Sequence, residues 1–228
     1  MRAAVLHGSD GLRIEERPTP RPGAGEVVVR VRACGICATD VKLLGGLGVG
    51  QDKPVVLGHE VAGEIAEIGD GVAGFAVCDR VAVYPIAVCG ECFFCSRGLH
   101  SLCTTEHGLA HGLDGGFADY ALVPARILKV GGLVKIGALD FSLAAMAEPL
   151  SCCISALRWH GSREGDSVLI VGSGPMGLFH TMASRWAGLI SIVADLADDR
   201  LAVARKVGAD AVVNPAKEDV GHVVRRLA

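Results

Sequence analysis

Blocks of basic residues are missing from this sequence. Lys and Arg number 22 against 25 Asp and Glu, for a net charge of −3, and the pair Arg225-Arg226 reads as a solvated helix face. Nucleic acid is therefore excluded as the main partner, because phosphate backbones are held by clustered cations. Long apolar runs are missing too. The most apolar stretch, Val168 to Leu196, is broken by Ser173, His180 and Arg185, whereas a bilayer span needs about 20 predominantly apolar residues. The N-terminus, Met1-Arg2-Ala3-Ala4-Val5-Leu6-His7, has no signal-peptide apolar core and reads as a strand start. No internal repeat or low-complexity tract occurs. Even pairing of cysteines is also absent: there are nine, four of them at metal-ligand spacing. That usage fits a reducing, cytoplasmic setting better than a disulfide framework. What is present is a chain of 228 residues, half of them hydrophobic, enough for one large or two modest cores.

The chemistry concentrates in two short segments, Cys34-Gly35-Ile36-Cys37-Ala38-Thr39-Asp40 and Gly58-His59-Glu60. Zinc takes thiolate, imidazole and carboxylate ligands, and a catalytic zinc keeps one position open. Cys37, His59 and an acid make such a set. The Thr39 hydroxyl is placed to pass a proton, and Asp40 to hydrogen-bond a ligating imidazole. Taken singly, Cys37 reads as a buried thiol and His59 as a satisfied loop histidine. Two further motifs in the same chain add weight to the metal reading.

The first is Cys89-Gly90-Glu91-Cys92-Phe93-Phe94-Cys95, with Cys103 beyond it. Four thiolates so close together can close a tetrahedral zinc shell and organise a loop with little core of its own; disulfides and an iron–sulfur cluster are the alternatives. The second begins at Asp166. Ser167-Val168-Leu169-Ile170-Val171 reads as a buried parallel strand, followed by Gly172-Ser173-Gly174-Pro175-Met176-Gly177 and a helix pattern from Leu178 to Ala187. A second strand, Ser191 to Ala194, ends at Asp195. A GxGxxG turn in this context, with an acid about twenty residues on, is a dinucleotide fingerprint, against which stands a plain glycine turn. Asp195 would take the ribose hydroxyls and repel a 2′-phosphate, favouring NAD over NADP. Asp198 to Val207 continues as a helix with Arg200 near its start, Ala211 to Val213 as a strand, and Glu218 to Leu227 as a helix. Before this region, Met1 to about Phe117 shows short β-rich runs between Gly/Pro turns, indicating a largely β, barrel-like domain. Ser142 to Leu150 turns helical and carries Glu148-Pro149-Leu150, whose acid reads on spacing alone as either a helix-end carboxylate or a ligand.

Together these motifs resemble those of the medium-chain, zinc-dependent alcohol and polyol dehydrogenases, sorbitol dehydrogenase-like members in particular. The resemblance runs from Met1 to the end of the chain, and it implies an α/β plus β protein. A GroES-like β-barrel catalytic domain would occupy residues 1–150, with a structural-zinc lobe at roughly 85–105. The N-terminal half of an NAD-binding Rossmann domain would occupy 151–228. It further implies one catalytic zinc, at Cys37, His59 and either Glu60 or Glu148, and one structural zinc at Cys89, Cys92, Cys95 and Cys103. NAD would lie on Gly172, Gly174, Pro175, Met176, Gly177, Asp195 and Arg200. The implied reaction is hydride transfer from a small alcohol or polyol to NAD, with Thr39 relaying the proton; the alternative is a non-catalytic zinc and NAD-binding or interaction module. Lys42 stands where many relatives carry histidine, and Cys78 where a turn glycine is usual. Family members continue well past position 228 and are expected to be homo-oligomers. The chain as written holds the first three strands of a six-strand fold, so it is expected to be inactive alone and to leave strand 1 as a bare edge.

Overall fold

A computed structural model of the chain describes residues 1–46 and 53–227. Contacts divide it into two compact units, Met1–Glu148 and Pro149–Ala228. In the first unit β1 (Arg2–Leu6) turns back into β2 (Leu12–Glu16), and β3 (Val27–Gly35) leads into the short helix α1 (Ala38–Leu44). There follow β4 (Val55–Val56), β5 (Glu60–Ile68), β6 (Arg80–Val83), β7 (Ile86–Ala87), β8 (His107–Leu109), β9 (Gly112–Leu113) and β10 (Tyr120–Val123). Helix α2 (Ala125–Lys129), β11 (Leu133–Lys135) and α3 (Phe141–Ala145) come next. β3 opens with a valine run whose β-branched side chains are buried on both faces: Val27, Val28 and Val29 are all at most 1% exposed.

Three sheets result, in the orders β2-β1-β4, β10-β3-β5-β6-β11 and β7-β8-β9. The barrel expected from the sequence is not a closed one among the described residues. The five-stranded sheet ends in free edges at β10 and β11, and the β1 sheet is joined to it at a single bridge, Ala3 with Ala118. The chain at 117–119 makes that join. Phe117 C=O accepts from Ala4 N–H, and Asp119 N–H donates to Arg2 C=O while its C=O accepts from Val31 N–H. Register shifts in the β3–β5 pair, at Val28/Val29 and Val31/Ala33, bend these strands locally, as bulges do. The core beneath is Val27, Val29, Val61, Ile65, Val81, Val83, Ile127 and Leu133 with their neighbours. On another face α3 lays Ala144 and Ala145 against Ala62, small residues that let a helix approach a strand closely. Asp140 caps that helix, accepting from Ser142 N–H at 2.8 Å.

Helix α4 (Ala147–His160) starts one residue after α3, so the helical stretch read from Ser142 is two helices parted at Met146. Pro149 falls in the first turn of α4, where its missing N–H has no intrahelical acceptor in any case. In the second unit β12 (Ser167–Val171), α5 (Pro175–Trp186), β13 (Ile190–Ala194), α6 (Asp198–Val207), β14 (Ala211–Val213) and α7 (Val220–Leu227) alternate. The strands form a parallel sheet in the order β12-β13-β14. α5 begins at Pro175 and not at Leu178, because Pro is favourable as the first helical residue. α7 begins at Val220 and not at Glu218, because the Asp219 carboxylate accepts from His222 N–H and so caps the helix at Asp219.

Candidate functional site

β3 and β5 pair antiparallel, and the last pair of their ladder is Gly35 opposite Glu60. Two residues beyond Gly35 the chain reaches Cys37, which lies directly before α1; directly before β5 stands His59. Strand pairing therefore brings together two segments separated by more than twenty residues. Cys37, His59 and Glu60 each offer a ligand atom, and all three atoms lie within 4.8 Å of one another. Glu148, the second residue of α4, is not in that group.

The buried carboxylate of Asp40 ties the two segments. One oxygen accepts from Cys37 N–H at 2.8 Å and the other from Gly58 N–H at 3.1 Å. Its distance to His59 Nδ1 is 3.8 Å, too long for a hydrogen bond. Asp40 thus orients the backbone around the ligands, where the sequence had pointed to the imidazole. Gly58 takes φ +90° with Phe117 and Cys34 packed where a Cβ would stand. Three backbone bonds clamp this approach to His59: Gly115 N–H to Val56 C=O, Gly116 N–H to Gly58 C=O and Phe117 N–H to Leu57 C=O, all 2.7–2.8 Å. The part Gly115 and Gly116 play in holding the His59 segment depends on a tertiary contact that no local pattern carries.

Glu60 is buried, and that burial raises its carboxyl pKa, as does the nearby Asp40 charge; His59 and a hydrogen bond from Cys37 act the other way. Thr39 Oγ1 is 3.6 Å from Cys37 Sγ, within the same pocket of polar atoms.

The four cysteines of the loop after β7 also converge, with all sulfur atoms within 4.8 Å of one another. Cys89 Sγ lies 3.8 Å from Cys95 Sγ and 3.7 Å from Cys103 Sγ. A disulfide needs about 2.05 Å, and all nine cysteines are free. A tetrahedron built on Zn–S bonds of about 2.3 Å has edges of about 3.8 Å, which is the spacing seen. Backbone N–H groups turn inward as well: Cys92 N–H to Cys89 Sγ at 3.3 Å, Cys95 N–H to Cys92 Sγ and Cys89 N–H to Cys103 Sγ, both at 3.5 Å. Amides of Glu91 and Cys92 aimed at Cys89 draw its thiol down to about 6. Both donor sets fit zinc: one is closed by four sulfurs, the other has three mixed ligands and leaves a fourth place.

In the second unit the glycine-rich turn joins β12 to α5. Gly174 caps α5 with nothing within 4 Å of where its Cβ would be, so the helix N-terminus is open to an approaching anion. At Gly177 a Cβ would stand 1.9 Å from Gly172 C=O, so only glycine lets the helix seat on the turn. Asp195, just past β13, accepts from Ser173 N–H at 2.7 Å and from Ala197 N–H at 2.9 Å. Those two amides, helped by the nearby Arg200 charge, hold its carboxyl below the usual range. Met176 is half-exposed in the first turn of α5, and the Arg200 carbonyl accepts from Ser173 Oγ at 3.0 Å.

Residues 23–132 match the alcohol dehydrogenase GroES-like domain. The sorbitol dehydrogenase of Halalkalibacterium halodurans is 35% identical over 224 residues, 97% of this chain and 64% of that protein. RspB of E. coli CFT073, solved with NADH, superposes with a TM-score of 0.89 at 36% identity, covering 99% of this chain and 66% of that one. The 2R,3R-butanediol dehydrogenase of Bacillus subtilis does so at 0.87 and 30% identity, covering 99% and 67%. The chain thus spans about two thirds of the length of the proteins it matches. By these matches, which run over nearly its whole length, the chain belongs to the medium-chain, zinc-dependent alcohol and polyol dehydrogenase family.

Proposed function

We propose that this chain supplies the zinc sites and the adenosine-binding half of an NAD-linked dehydrogenase acting on a small alcohol or polyol. The observation that carries the reading is the convergence of Cys37, His59 and Glu60 within 4.8 Å on a frame that Asp40 holds from both sides. In this reading residues 1–150 are the catalytic domain and 151–228 half of the dinucleotide domain. When bound, zinc supplies Lewis-acid polarisation of an alcohol oxygen and NAD accepts the hydride.

The chain's own residues do the rest. Cys37, His59 and Glu60 hold the catalytic metal, and Glu148 is the competing acid. Asp40 keeps the Cys37 and His59 segments in register. The Thr39 hydroxyl moves a proton outward, and with Lys42 in the last turn of α1 the onward carrier is not a histidine. Cys89, Cys92, Cys95 and Cys103 close the structural site. Gly172, Gly174, Pro175, Met176 and Gly177 receive the pyrophosphate against the α5 N-terminus; the ionised Asp195 accepts from the ribose hydroxyls and disfavours a 2′-phosphate, with Arg200 beside it. The free thiols suit a reducing compartment, the cytoplasm, and the assembled enzyme is a homo-oligomer. Among the described residues no helix is long and apolar enough to cross a membrane.

The test is zinc per chain together with NADH formation across an alcohol and polyol panel, for this chain and for a form extended to the length of its relatives. Two zinc ions and turnover in the extended form are expected. One zinc and no turnover in either form would favour a non-catalytic module and overturn the reading.

A further inference from the structure

The carboxyl ends of the three parallel strands lie along one edge of their sheet. They carry the glycine turn after β12, Asp195 after β13 and Asn214 after β14. Asp195 is presented by an exposed turn: Leu196 is 72% exposed and the Asp198 side chain 61%. So exposed a turn has little apolar packing to hold it. Asn214, by contrast, is buried, and every polar atom of its side chain is engaged. Nδ2 donates to the Leu196 carbonyl at 3.0 Å and to Asp198 Oδ1 at 2.8 Å, and Oδ1 accepts from Ala216 N–H at 3.0 Å. Lys217 Nζ closes the outside by pairing with the other oxygen of Asp198. The turn is thus gripped on both sides of Ala197, the residue whose N–H fixes Asp195 Oδ1.

Resting on the dinucleotide reading above, we infer that Asn214 is a positioning residue for ribose recognition. By pinning Leu196 and Asp198 it fixes the Ala197 N–H, and with it the rotamer in which Asp195 offers its remaining lone pairs to the adenosine ribose. Asn214 itself does not touch the ligand. Its amide matters because it can donate and accept at once. An aspartate there would face the Leu196 carbonyl and the Asp198 carboxylate with an oxygen.

The experiment is equilibrium titration of the full chain with ADP-ribose and with its adenosine-2′-deoxy analogue, alongside thermal unfolding. A hydrogen bond to an ionised carboxylate is worth enough that the parent should prefer the 2′-hydroxyl ligand by about tenfold or more. Asn214→Ala and Asn214→Asp should bring that preference down to about twofold by weakening ADP-ribose several-fold more than the deoxy analogue, which keeps only the 3′-hydroxyl. A merely structural role would weaken both ligands alike. Asp198→Ser, at an exposed position, opens the same grip without touching the core and should shrink the preference partway, so the answer does not depend on the Asn214 variants folding. Parent-like preference in Asp198→Ser and in whichever Asn214 variant folds would overturn the inference. Failure of the parent itself to bind ADP-ribose would overturn the dinucleotide reading and this inference with it.

Discussion

Each oxygen of the Asp40 carboxylate takes one backbone N–H, from Cys37 and from Gly58, and so a single buried side chain sets the spacing of the two segments that carry Cys37 and His59. Gly35 works beside it. A Cβ at this position would stand 1.8 Å from Glu60 Oε2, so the absence of a side chain makes room for the acid. The severe clash is with the far end of a flexible side chain and Glu60 Cβ stands 3.1 Å away, so Gly35→Ala should displace the Glu60 carboxylate at modest cost to the fold. We expect the variant to melt within a few degrees of the parent and to lose most of one zinc, read by metal analysis after dialysis. Retention of parent-level zinc would place the third ligand elsewhere, Glu148 being the candidate. Cys78 shows what glycine ordinarily does at such a turn: it adopts φ +70°, a left-handed conformation that L-residues hold at some cost. Its N–H donates to Ile65 C=O at 2.8 Å, which anchors the turn; nothing among the described residues explains the thiol.

At the scale of elements, the loop from Cys89 to Cys103 contains two short 3-10 turns, Cys95–Arg97 and His100–Leu102, and no α-helix. Its small apolar cluster is Val88 with Cys95 and Cys103 and a few neighbours. Metal binding to such a segment is in large part its folding energy. Cys92→Ser is therefore expected to lower stability and raise protease sensitivity within this loop, whereas Cys37→Ala leaves the loop resistant; limited proteolysis with mass mapping separates the two. The turn after β13 yields a pH prediction. Asp195 is held below the ordinary Asp value of 3.8 by the Ala197 and Ser173 amides. The sign follows from linkage: a lowered native pKa stabilises the folded state above the unfolded pKa, and that stabilisation fades as pH falls through the native one. Asp195→Asn should accordingly differ from the parent by a constant amount at neutral pH, with the gap closing below about pH 4. A gap that stayed constant down to pH 2 would show that the Asp195 pKa is the same folded and unfolded, and that the two amides do not favour its carboxylate.

For the whole molecule, the two units rest on different kinds of sheet. The first has antiparallel ladders, apart from the short parallel pair β8–β9, and its five-stranded sheet packs on Ile65, Ile127 and their neighbours. In the second, β12 is an edge strand: Val168 and Ile170 pack inward, while Leu169 and Val171 are 41% and 83% exposed. An edge with free backbone groups and uncovered apolar side chains invites pairing with another chain. The 228-residue protein should therefore self-associate as its concentration rises. Leu169→Lys should reduce that association, with a melting temperature close to the parent's, since exposed substitutions cost at most about 0.5 kcal/mol. Light scattering across a concentration series distinguishes this from a monodisperse parent, which would remove the argument.

Local chemistry was enough to read much of this protein from its residues. Thiols three apart in Cys89, Cys92 and Cys95, the glycine turn between an apolar strand and a helix, and the spacing to Asp195 each act within a few residues or one βαβ unit, so the sequence carries them directly. The same holds for α6, which runs from Asp198 to Val207 as its local pattern implies. What tertiary structure decided lies at longer range. The nearness of Glu60 to Cys37 and His59 depends on the β3–β5 register, the role of Asp40 on which amides point at it, and the open form of the sheets on strand orders joined at one bridge. The grip of Asn214 on the turn of Asp195 likewise exists only once β13 and β14 lie side by side. Strand pairing joins residues tens of positions apart through backbone bonds that are the same for every side chain, and so no local pattern announces which partner a given residue will meet.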